Sequence, residues 1–354
     1  SSKGLRYDHT VPLARFVSQH QNELAFPFKR YVIGPVWRAD RPQKGRYQEF
    51  FQCDADIVGT GSLIGDLEMI SLFDSVFKDL NIKVQIKINN RKIYNGICDL
   101  IEVNSEALSI STVLDKWDKI GEDKVRSEIS ELIGVDKTEE LLSILSAPSF
   151  SDFKEQLRDK ENEILKKGIE EMEFILNHSN SECLHFDLKL LRGLDYYTGT
   201  VLEVVTSEMN YGSIGGGGRY DNLTELFGLK EMSGIGISFG LDRIYDVLEE
   251  LKRFPETIAP LNTLVLYLTD SAISLYLSLL QEVRTIGHSI DLYPQPVKME
   301  RQLSYADKAG YDYAIIIGES EIASNTILLK NLKQRKQDNL SKDELIIHYR
   351  SLSL

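Results

Sequence analysis

The chain has 354 residues, a length that predicts more than one hydrophobic core. Its 42% apolar and 27% charged residues exclude a disordered or fibrous protein, and its formal net charge of −13 makes it a poor nonspecific binder of polyanions. We find no uncharged apolar run of the ~18 residues that a membrane helix needs and no secretory signal, so we expect a soluble, cytoplasmic protein.

The first predicted elements are a β-hairpin, a helix and a third strand. Strand-forming residues run from 30 to 58 around the turn sequence Arg41-Pro42-Gln43-Lys44-Gly45. Apolar residues recur at helical spacing from Leu63 to Leu80, and Val84, Ile86 and Ile88 then alternate as in a strand.

Residues 99–182 have the pattern of an inserted helical module. They contain 21 acidic and 10 basic residues, so this segment carries −11 of the net charge and the rest of the chain is close to neutral. From Lys29 to Arg46, in contrast, six basic residues accompany a single acid. A phosphate-bearing partner is therefore compatible with the acidic composition if it binds locally.

The second half of the chain contains two regions of different composition and pattern, separated by a linker. Residues 183–240 are rich in glycine and tyrosine and predict strands, and apolar residues from Leu241 to Leu251 predict an amphipathic helix. Residues 253–260 predict a linker. Strand and helix patterns then alternate from 263 to 318, which predicts a small α/β domain of about ninety residues.

The second hairpin strand carries candidate chemistry on one face. A strand sends alternate side chains to the same side, and this side holds Arg46, Gln48, Phe50, Gln52, Asp54 and Asp56. A solvated outer face is one interpretation. The other is a ligand site, because Phe50 stands among charged groups and arginines at the loop end, with Arg38, suit bidentate phosphate contacts.

Two further features are ambiguous by themselves. Arg243 lies in the first predicted turn of a helix, where the macrodipole disfavours a cation, so a salt bridge or a bound anion would explain it. The four glycines 215–218 permit close backbone approach, but they lack the GK[ST] sequence of a phosphate loop. The three cysteines form no CxxC pair, and we expect no disulfide framework and no metal site in the protein.

Together these segments resemble the histidyl-tRNA synthetase family. Motif 2 of class II aminoacyl-tRNA synthetases, in its histidine-specific form, is similar to RYVIGPVWRADRPQKGRYQEFFQCDADIVG. The two histidine-specific signatures resemble LLRGLDYYTGTVLEV and GSIGGGGRYDNL, and motif 3 resembles GIGISFGLDRI. The family's LRPDxTxPLAR segment is similar to LRYDHTVPLARF, and its anticodon-binding domain to residues 261–354.

The resemblance implies an α+β catalytic domain with an antiparallel sheet of the class II synthetase type, built from residues 1–98 and 183–256. It also implies a helical insertion at 99–182 and a C-terminal α/β anticodon-binding domain at 261–354. Motif 1, which builds the family's dimer interface, would precede the segment LRYDHTVPLARF. We therefore expect a homodimer formed through an upstream region.

The implied activity is that of a histidine-tRNA ligase. The family joins histidine to the α-phosphate of ATP, releases pyrophosphate and passes the histidyl group to the 3′ end of tRNA(His). Fixed cations stabilise the charge that builds on the α-phosphoryl group. The resemblance implies that Arg38 grips the α-phosphate and that Arg192 neutralises it together with the substrate carboxylate. Arg46 and Arg243 would hold the distal phosphates, and Phe50 would stack on adenine.

The residues that match the family's histidine-binding positions are Asp8, Thr10, Gln52, Asp56, Tyr196 and Tyr197. The first three would hold the α-amino group, the fourth and the last would clasp the imidazole, and Tyr196 would line the pocket. Asp8 and Asp56 are shorter than the glutamates of some relatives. Magnesium would enter with the ATP phosphates.

The hairpin loop would meet the acceptor end of tRNA through Arg41, Gln43 and Lys44. Gln48 stands where many bacterial relatives carry a basic residue. Two alternatives remain open at this point. A non-catalytic relative, such as a regulatory subunit of ATP phosphoribosyltransferase, would typically lose active-site arginines or the anticodon domain. A synthetase for threonine, proline or glycine would share motifs 2 and 3 but not the RGLDYYTG and GGGGRYD segments.

Overall fold

The computed structural model describes residues 4–191, 197–254 and 262–352. The chain divides into two compact units, residues 1–253 and 254–354. Within the described ranges, we find no helix with the length and apolar character to cross a membrane.

The first unit is built on a sheet of seven strands. These are β1 (Phe28–Trp37), β2 (Glu49–Val58), β3 (Val84–Asn90), β4 (Leu184–Phe186), β5 (Thr200–Thr206), β6 (Ser213–Tyr220) and β7 (Gly234–Gly240). Their order across the sheet is β1-β2-β7-β6-β5-β3-β4. All neighbours are antiparallel except β3 and β4, which are parallel. The predicted hairpin is confirmed, with Val36 opposite Phe50 and Gly34 opposite Gln52.

The helices of this unit are α1 (Thr10–His20), α2 (Ile64–Asp79), α3 (Arg91–Leu100), α4 (Ala107–Leu114), α5 (Trp117–Ile120), α6 (Glu122–Ile133), α7 (Val135–Leu145), α8 (Phe150–Gln156), α9 (Glu163–His178) and α10 (Leu241–Glu250). The acidic segment is thus helical, as its apolar spacing predicts. Its last helix packs closely on α3, because Gly96 and Gly168 each face the other helix where a Cβ atom would meet backbone atoms.

One face of the sheet is covered by α2. Phe73 of α2 packs edge-on against Phe239 of β7, with ring centres 4.9 Å apart, and Phe77 lies 5.8 Å from the same ring. This packing buries the side chains that point toward α2 and leaves the opposite face of the central strands for other contacts. The candidate site lies on that opposite face.

The glycine strand β6 alternates between these two faces. A Cβ atom on Gly215 would meet Phe73 on the core side, whereas one on Gly218 would meet the ring of Tyr197 on the other side. Arg219 returns to the core side, where it forms a buried ion pair with Asp66 of α2 and donates to the Ser233 hydroxyl at 2.8 Å. Arg219 therefore stabilises the fold and does not point to the opposite face.

Residues 262–352, the described part of the second unit, form five strands and four α-helices. They are β8 (Asn262–Val265), α11 (Ile273–Thr285), β9 (Ser289–Leu292), α12 (Met299–Lys308), β10 (Tyr313–Ile316), α13 (Glu319–Ser324), β11 (Ile327–Asn331), β12 (Lys336–Leu340) and α14 (Lys342–Ser351). The strand order is β12-β11-β10-β8-β9. Strands β8, β9 and β10 run parallel, as the strand-helix alternation predicts, and β11 and β12 add an antiparallel edge that was not predicted.

Candidate active site

A cavity of about 710 Å³ opens on the face of the first unit's sheet opposite α2. Its walls come from the start of α1, the hairpin loop, strands β2, β5, β6 and β7, and the start of α10. The predicted site residues that line it are Asp8, Thr10, Arg38, Arg46, Phe50, Gln52, Tyr197 and Arg243. Residues separated by up to 235 positions in the chain therefore border one hollow.

The arginines approach the cavity from two directions. Arg38 follows β1, where its guanidinium carbon lies 4.5 Å from the centre of the Tyr7 ring and 5.0 Å from that of Phe50. Arg243 comes from the first turn of α10 and donates to the carbonyl oxygens of Gly45 and Ser213, both at 2.6 Å. The Nε atom of Arg46, in the loop, lies 3.8 Å from a carboxylate oxygen of Asp40. Two of these side chains are thus held by the backbone and by aromatic rings.

Hydrogen-bond acceptors also line the cavity. Gln52 donates to the Ser238 hydroxyl at 2.9 Å, which leaves its side-chain oxygen buried without a hydrogen-bond partner among the described residues. One carboxylate oxygen of Asp54 is likewise buried and has no hydrogen-bond partner among the described residues. Burial raises the pKa of Asp54 to about 6, against the hydrogen bond from Ser238 and the positive charge of Arg30. These oxygens are suited to accept from a cationic or N–H-bearing ligand.

Asp8 both caps a helix and borders the cavity. Its carboxylate accepts from the backbone N–H of Val11 at 3.1 Å, which caps the first turn of α1. The same residue lines the cavity. Its position at the helix start therefore directs a negative charge toward the acceptor side of the site.

Asp56 lies behind the wall of the cavity. Its side chain is 2% exposed and does not border the cavity. It accepts a hydrogen bond from the Tyr220 hydroxyl at 2.7 Å and pairs with Arg30 at 2.9 Å. Burial raises the pKa of Asp56 to about 6, and the charge of Arg30 opposes that shift. A small recess of about 30 Å³ lies close by, lined by Thr10, Asp54, Tyr197 and Tyr220 among others.

The cavity-lining residues that were absent from the predicted set include Asp54, Glu203, Ser238 and Asp242. Asp54 could have been found, because it shares the strand face of Phe50 and Gln52. Glu203 lies inside the segment 190–204 that carries a family signature, and Asp242 precedes Arg243 directly. Ser238 lies inside the segment GIGISFGLDRI that resembles motif 3, and the strand register sets it opposite Asp54.

The other predicted residues fall into two groups. Arg192 and Tyr196 lie outside the described residues. Arg41, Gln43 and Lys44 are exposed on the hairpin loop and do not line the cavity. Lys44 pairs with Glu250 of α10 at 2.6 Å, and Gln43 forms an isolated β-bridge with Arg46. Across the described ranges, we find no group of three or more His, Cys, Asp or Glu side chains arranged to hold a metal ion.

This arrangement is that of a class II aminoacyl-tRNA synthetase. It combines an antiparallel sheet, arginines from the β1-β2 hairpin and an arginine from α10, the helix that follows β7. Residues 2–244 match the family model of histidyl-tRNA synthetase, and residues 257–349 match that of an anticodon binding domain. The chain belongs to the histidyl-tRNA synthetase family, and its activity is that of a histidine-tRNA ligase.

The similarity extends over most of the chain. The chain is 48% identical over 349 residues to a histidine-tRNA ligase of Flavobacterium johnsoniae, and the alignment covers 95% of this chain and 74% of that one. A histidine-tRNA ligase of Bacteroides fragilis is 44% identical over 355 residues, with 97% and 78% covered. The expectations for the family, the fold class and the enzyme activity are therefore confirmed.

Solved structures agree on the fold. A histidyl-tRNA synthetase from Nostoc superposes with a TM-score of 0.83 at 30% identity, covering 98% of this chain and 83% of that one. A structure from Bacillus halodurans, titled as an ATP phosphoribosyltransferase regulatory subunit/histidyl-tRNA synthetase, gives 0.73 at 22% identity, with 88% and 79% covered. The second likeness concerns the fold alone. The identity to the two ligases of Flavobacterium and Bacteroides separates this chain from the non-catalytic alternative.

Proposed function

We propose that the cavity binds ATP and histidine side by side and that its arginines assist the attack of the histidine carboxylate on the α-phosphate. The observation that carries this proposal is the convergence of Arg38, Arg46 and Arg243 on a hollow that is also lined by carboxylates. Positive groups at one part suit phosphates, and acceptors at another suit an ammonium and an imidazole N–H.

In this proposal ATP lies along the arginines. Adenine stacks on Phe50, and Arg38, already in contact with that ring, reaches the adjacent α-phosphate. Arg46 and Arg243 hold the distal phosphates, which become the pyrophosphate leaving group. Cations fixed before the reaction stabilise the charge of the transition state without having to reorganise. The two backbone hydrogen bonds of Arg243 support this preorganised role.

Histidine occupies the acceptor side. Asp8, Thr10 and Gln52 hold its α-amino group. A second carboxylate is added by Asp54, one oxygen of which has no hydrogen-bond partner among the described residues. Tyr197 contacts the imidazole from the cavity wall, and Asp56, which lies behind that wall, contributes to recognition through Tyr220. The small recess supports this assignment, because Tyr220, which binds Asp56, is one of its lining residues.

Two parts of the proposal rest on the resemblance alone. Arg192 would neutralise the α-phosphate and the substrate carboxylate, and Tyr196 would complete the pocket wall. Magnesium would arrive bound to the phosphates of ATP. Carboxylates of Glu203 and Asp242 line the cavity and have the oxygen chemistry that this cation accepts beside phosphate ligands.

We further propose that tRNA(His) meets Arg41, Gln43 and Lys44 at its acceptor end and residues 261–354 at its anticodon. Residues 1–98 and 183–256 would form the catalytic domain and residues 99–182 the insertion. The working form would be a cytoplasmic homodimer. The exposure of the three loop side chains supports the acceptor contact.

The test is histidine-dependent exchange of pyrophosphate into ATP by arginine variants. Arg38→Ala and Arg243→Ala should each lower kcat/KM by about a hundredfold or more, the size of effect seen when one transition-state donor is removed. Arg158→Ala is the matched control, because that side chain is 72% exposed in the helical insertion. Near-normal exchange by folded Arg38→Ala and Arg243→Ala proteins would refute the assigned roles.

A further inference from the structure

Asp246, a residue outside the predicted site, joins two segments that border the cavity. Its carboxylate accepts a hydrogen bond from the Tyr47 hydroxyl at 2.7 Å and another from the Tyr211 hydroxyl. Tyr47 belongs to the hairpin loop, and Tyr211 lies just before β6. One carboxylate on α10 therefore ties both segments to the helix.

Arg243, three residues earlier on α10, binds the same two segments. It donates to the carbonyl oxygens of Gly45 in the loop and Ser213 at the start of β6. Residues three apart on a helix lie on one face, so Arg243 and Asp246 act as adjacent clamps. The segments also meet each other, because a Cβ atom on Gly45 would lie 2.9 Å from the Tyr211 hydroxyl oxygen.

The contact continues along α10 in both directions. Asp242 accepts from the backbone N–H of Phe51 at 2.7 Å, and Glu250 pairs with Lys44 at 2.6 Å. Positions 242, 246 and 250 are spaced four apart and form one acidic stripe on the helix. Their partners at 51, 47 and 44 follow in the opposite chain direction, so the end of the hairpin lies along the stripe.

These contacts with α10 lie on both sides of residues that are proposed to bind ATP. Arg46 lies between Gly45 and Tyr47, both of which are held by α10, and Phe50 precedes Phe51, which is held by Asp242. We propose that Asp246 is a positioning residue for ATP: through Tyr47 and Tyr211 it fixes the loop that carries Arg46 and the carbonyl groups that orient Arg243. The inference rests on the ATP-binding roles proposed for those arginines.

The chemistry of the clamp favours a fixed geometry. The hydrogen bond to Asp246 raises the pKa of Tyr47. The pKa of Tyr211 is raised mainly by burial and, to a smaller extent, by its hydrogen bond to the same carboxylate. Both phenols therefore keep their protons at neutral pH and donate to the Asp246 carboxylate. Hydrogen bonds to a charged group are stronger than neutral ones. A displacement of about 1 Å at a reacting group can lower a rate by about a hundredfold.

The experiment measures pyrophosphate exchange with separate titrations of ATP and histidine. Asp246→Ala should raise KM for ATP by about tenfold or more, because it releases Arg46, and should leave KM for histidine within about twofold. Asp246→Asn should lie between Ala and wild type, because its amide oxygen still accepts from a phenol. Glu249→Gln is the matched control on the same helix and should behave as wild type.

The outcomes separate this inference from the proposed function. An active wild-type enzyme whose folded Asp246→Ala variant keeps KM for ATP within about twofold would overturn the inference alone. A wild type without histidine-dependent exchange would overturn the proposed function and the inference with it. If Asp246→Ala does not fold, the Tyr47→Phe/Tyr211→Phe variant decides. It loses the two hydroxyl groups alone, and an unchanged KM for ATP in it would overturn the inference.

Discussion

The guanidinium carbon of Arg38 lies 5.0 Å from the centre of the Phe50 ring, across the β1-β2 hairpin. The residue proposed to grip the α-phosphate is thus in contact with the residue proposed to stack on adenine. A guanidinium over an aromatic face is attracted by the ring quadrupole. With the roles proposed for these residues, a nucleotide would lie with its base beside the Phe50 ring and its phosphates toward Arg46 and Arg243.

Phe50→Leu should raise KM for ATP by about 5-fold to 100-fold, since stacking of a base on an aromatic ring is worth about 1–3 kcal/mol. KM for histidine should change little. Phe51→Leu is the matched control, because that ring points to the other side of β2 and is 42% exposed. Steady-state exchange kinetics make the comparison. Equal effects from the two substitutions would exclude a specific role for Phe50 in binding the base.

Asp54→Asn should change the pH dependence of stability. Burial raises the pKa of Asp54 from 3.8 to about 6, so its neutral form favours the folded protein and ionisation above that pH disfavours it. Stability from this group is complete below pH 3.8 and is lost as pH rises through about 6. The asparagine carries no such proton.

The free energy of unfolding of Asp54→Asn, relative to wild type, should therefore increase by roughly 1 kcal/mol between about pH 5 and 7.5. Urea denaturation at the two pH values measures the difference. Asp56 remains in both proteins, so its own titration largely cancels. A difference that is constant, or that grows toward acid pH, would contradict the raised pKa.

Gly216→Ala and Gly217→Ala should separate activity from folding. Gly216 is on the cavity side of β6, where an added methyl group would extend into the proposed histidine pocket, so KM for histidine should rise. The loss of stability should be smaller than at Gly217, because the added Cβ atom would lie 3.1 Å from the carbonyl oxygen of Leu202. A methyl group on Gly217 would meet the backbone of β7 and should lower the melting temperature. Calorimetry and exchange kinetics on both variants test this. The reverse pattern would place the pocket on the wrong side of the strand.

Arg219→Met should destabilise the first unit by about 3–5 kcal/mol, because it leaves the buried carboxylate of Asp66 without its cation. An Arg219→Met/Asp66→Leu variant should recover much of that loss, since both charges are then removed. Chemical denaturation of the single and double variants gives the coupling. An Arg219→Met protein as stable as wild type would show that the pair does not contribute to folding.

Much of the fold could be predicted because local patterns and tertiary structure agree. The alternation of the hairpin strands placed Phe50 and Gln52 on one face, and the strand register kept them there. The antiparallel edge of the second unit was missed because β12 has no apolar alternation: four of its five residues, from Lys336 to Asn339, are exposed polar or charged residues. Its strand conformation comes from pairing with β11.

The site was predicted less completely than the fold. Periodicity places Asp54 and Asp56 on one face, but it cannot tell which carboxylate meets the cavity. That depends on Arg30 and Tyr220, which come from two other strands and hold Asp56. The role of Asp246 was equally hidden, because its partners Tyr47 and Tyr211 are distant in sequence and neither tyrosine belongs to the residues assigned by resemblance.

The central claim is that one cavity joins ATP to histidine. Exchange of labelled pyrophosphate into ATP, measured with each of the twenty amino acids in turn, tests it most directly. The convergence of the arginines and the acceptor wall predicts exchange with histidine well above every other amino acid, and its loss in Arg38→Ala. Exchange driven by threonine or proline in place of histidine would contradict the account.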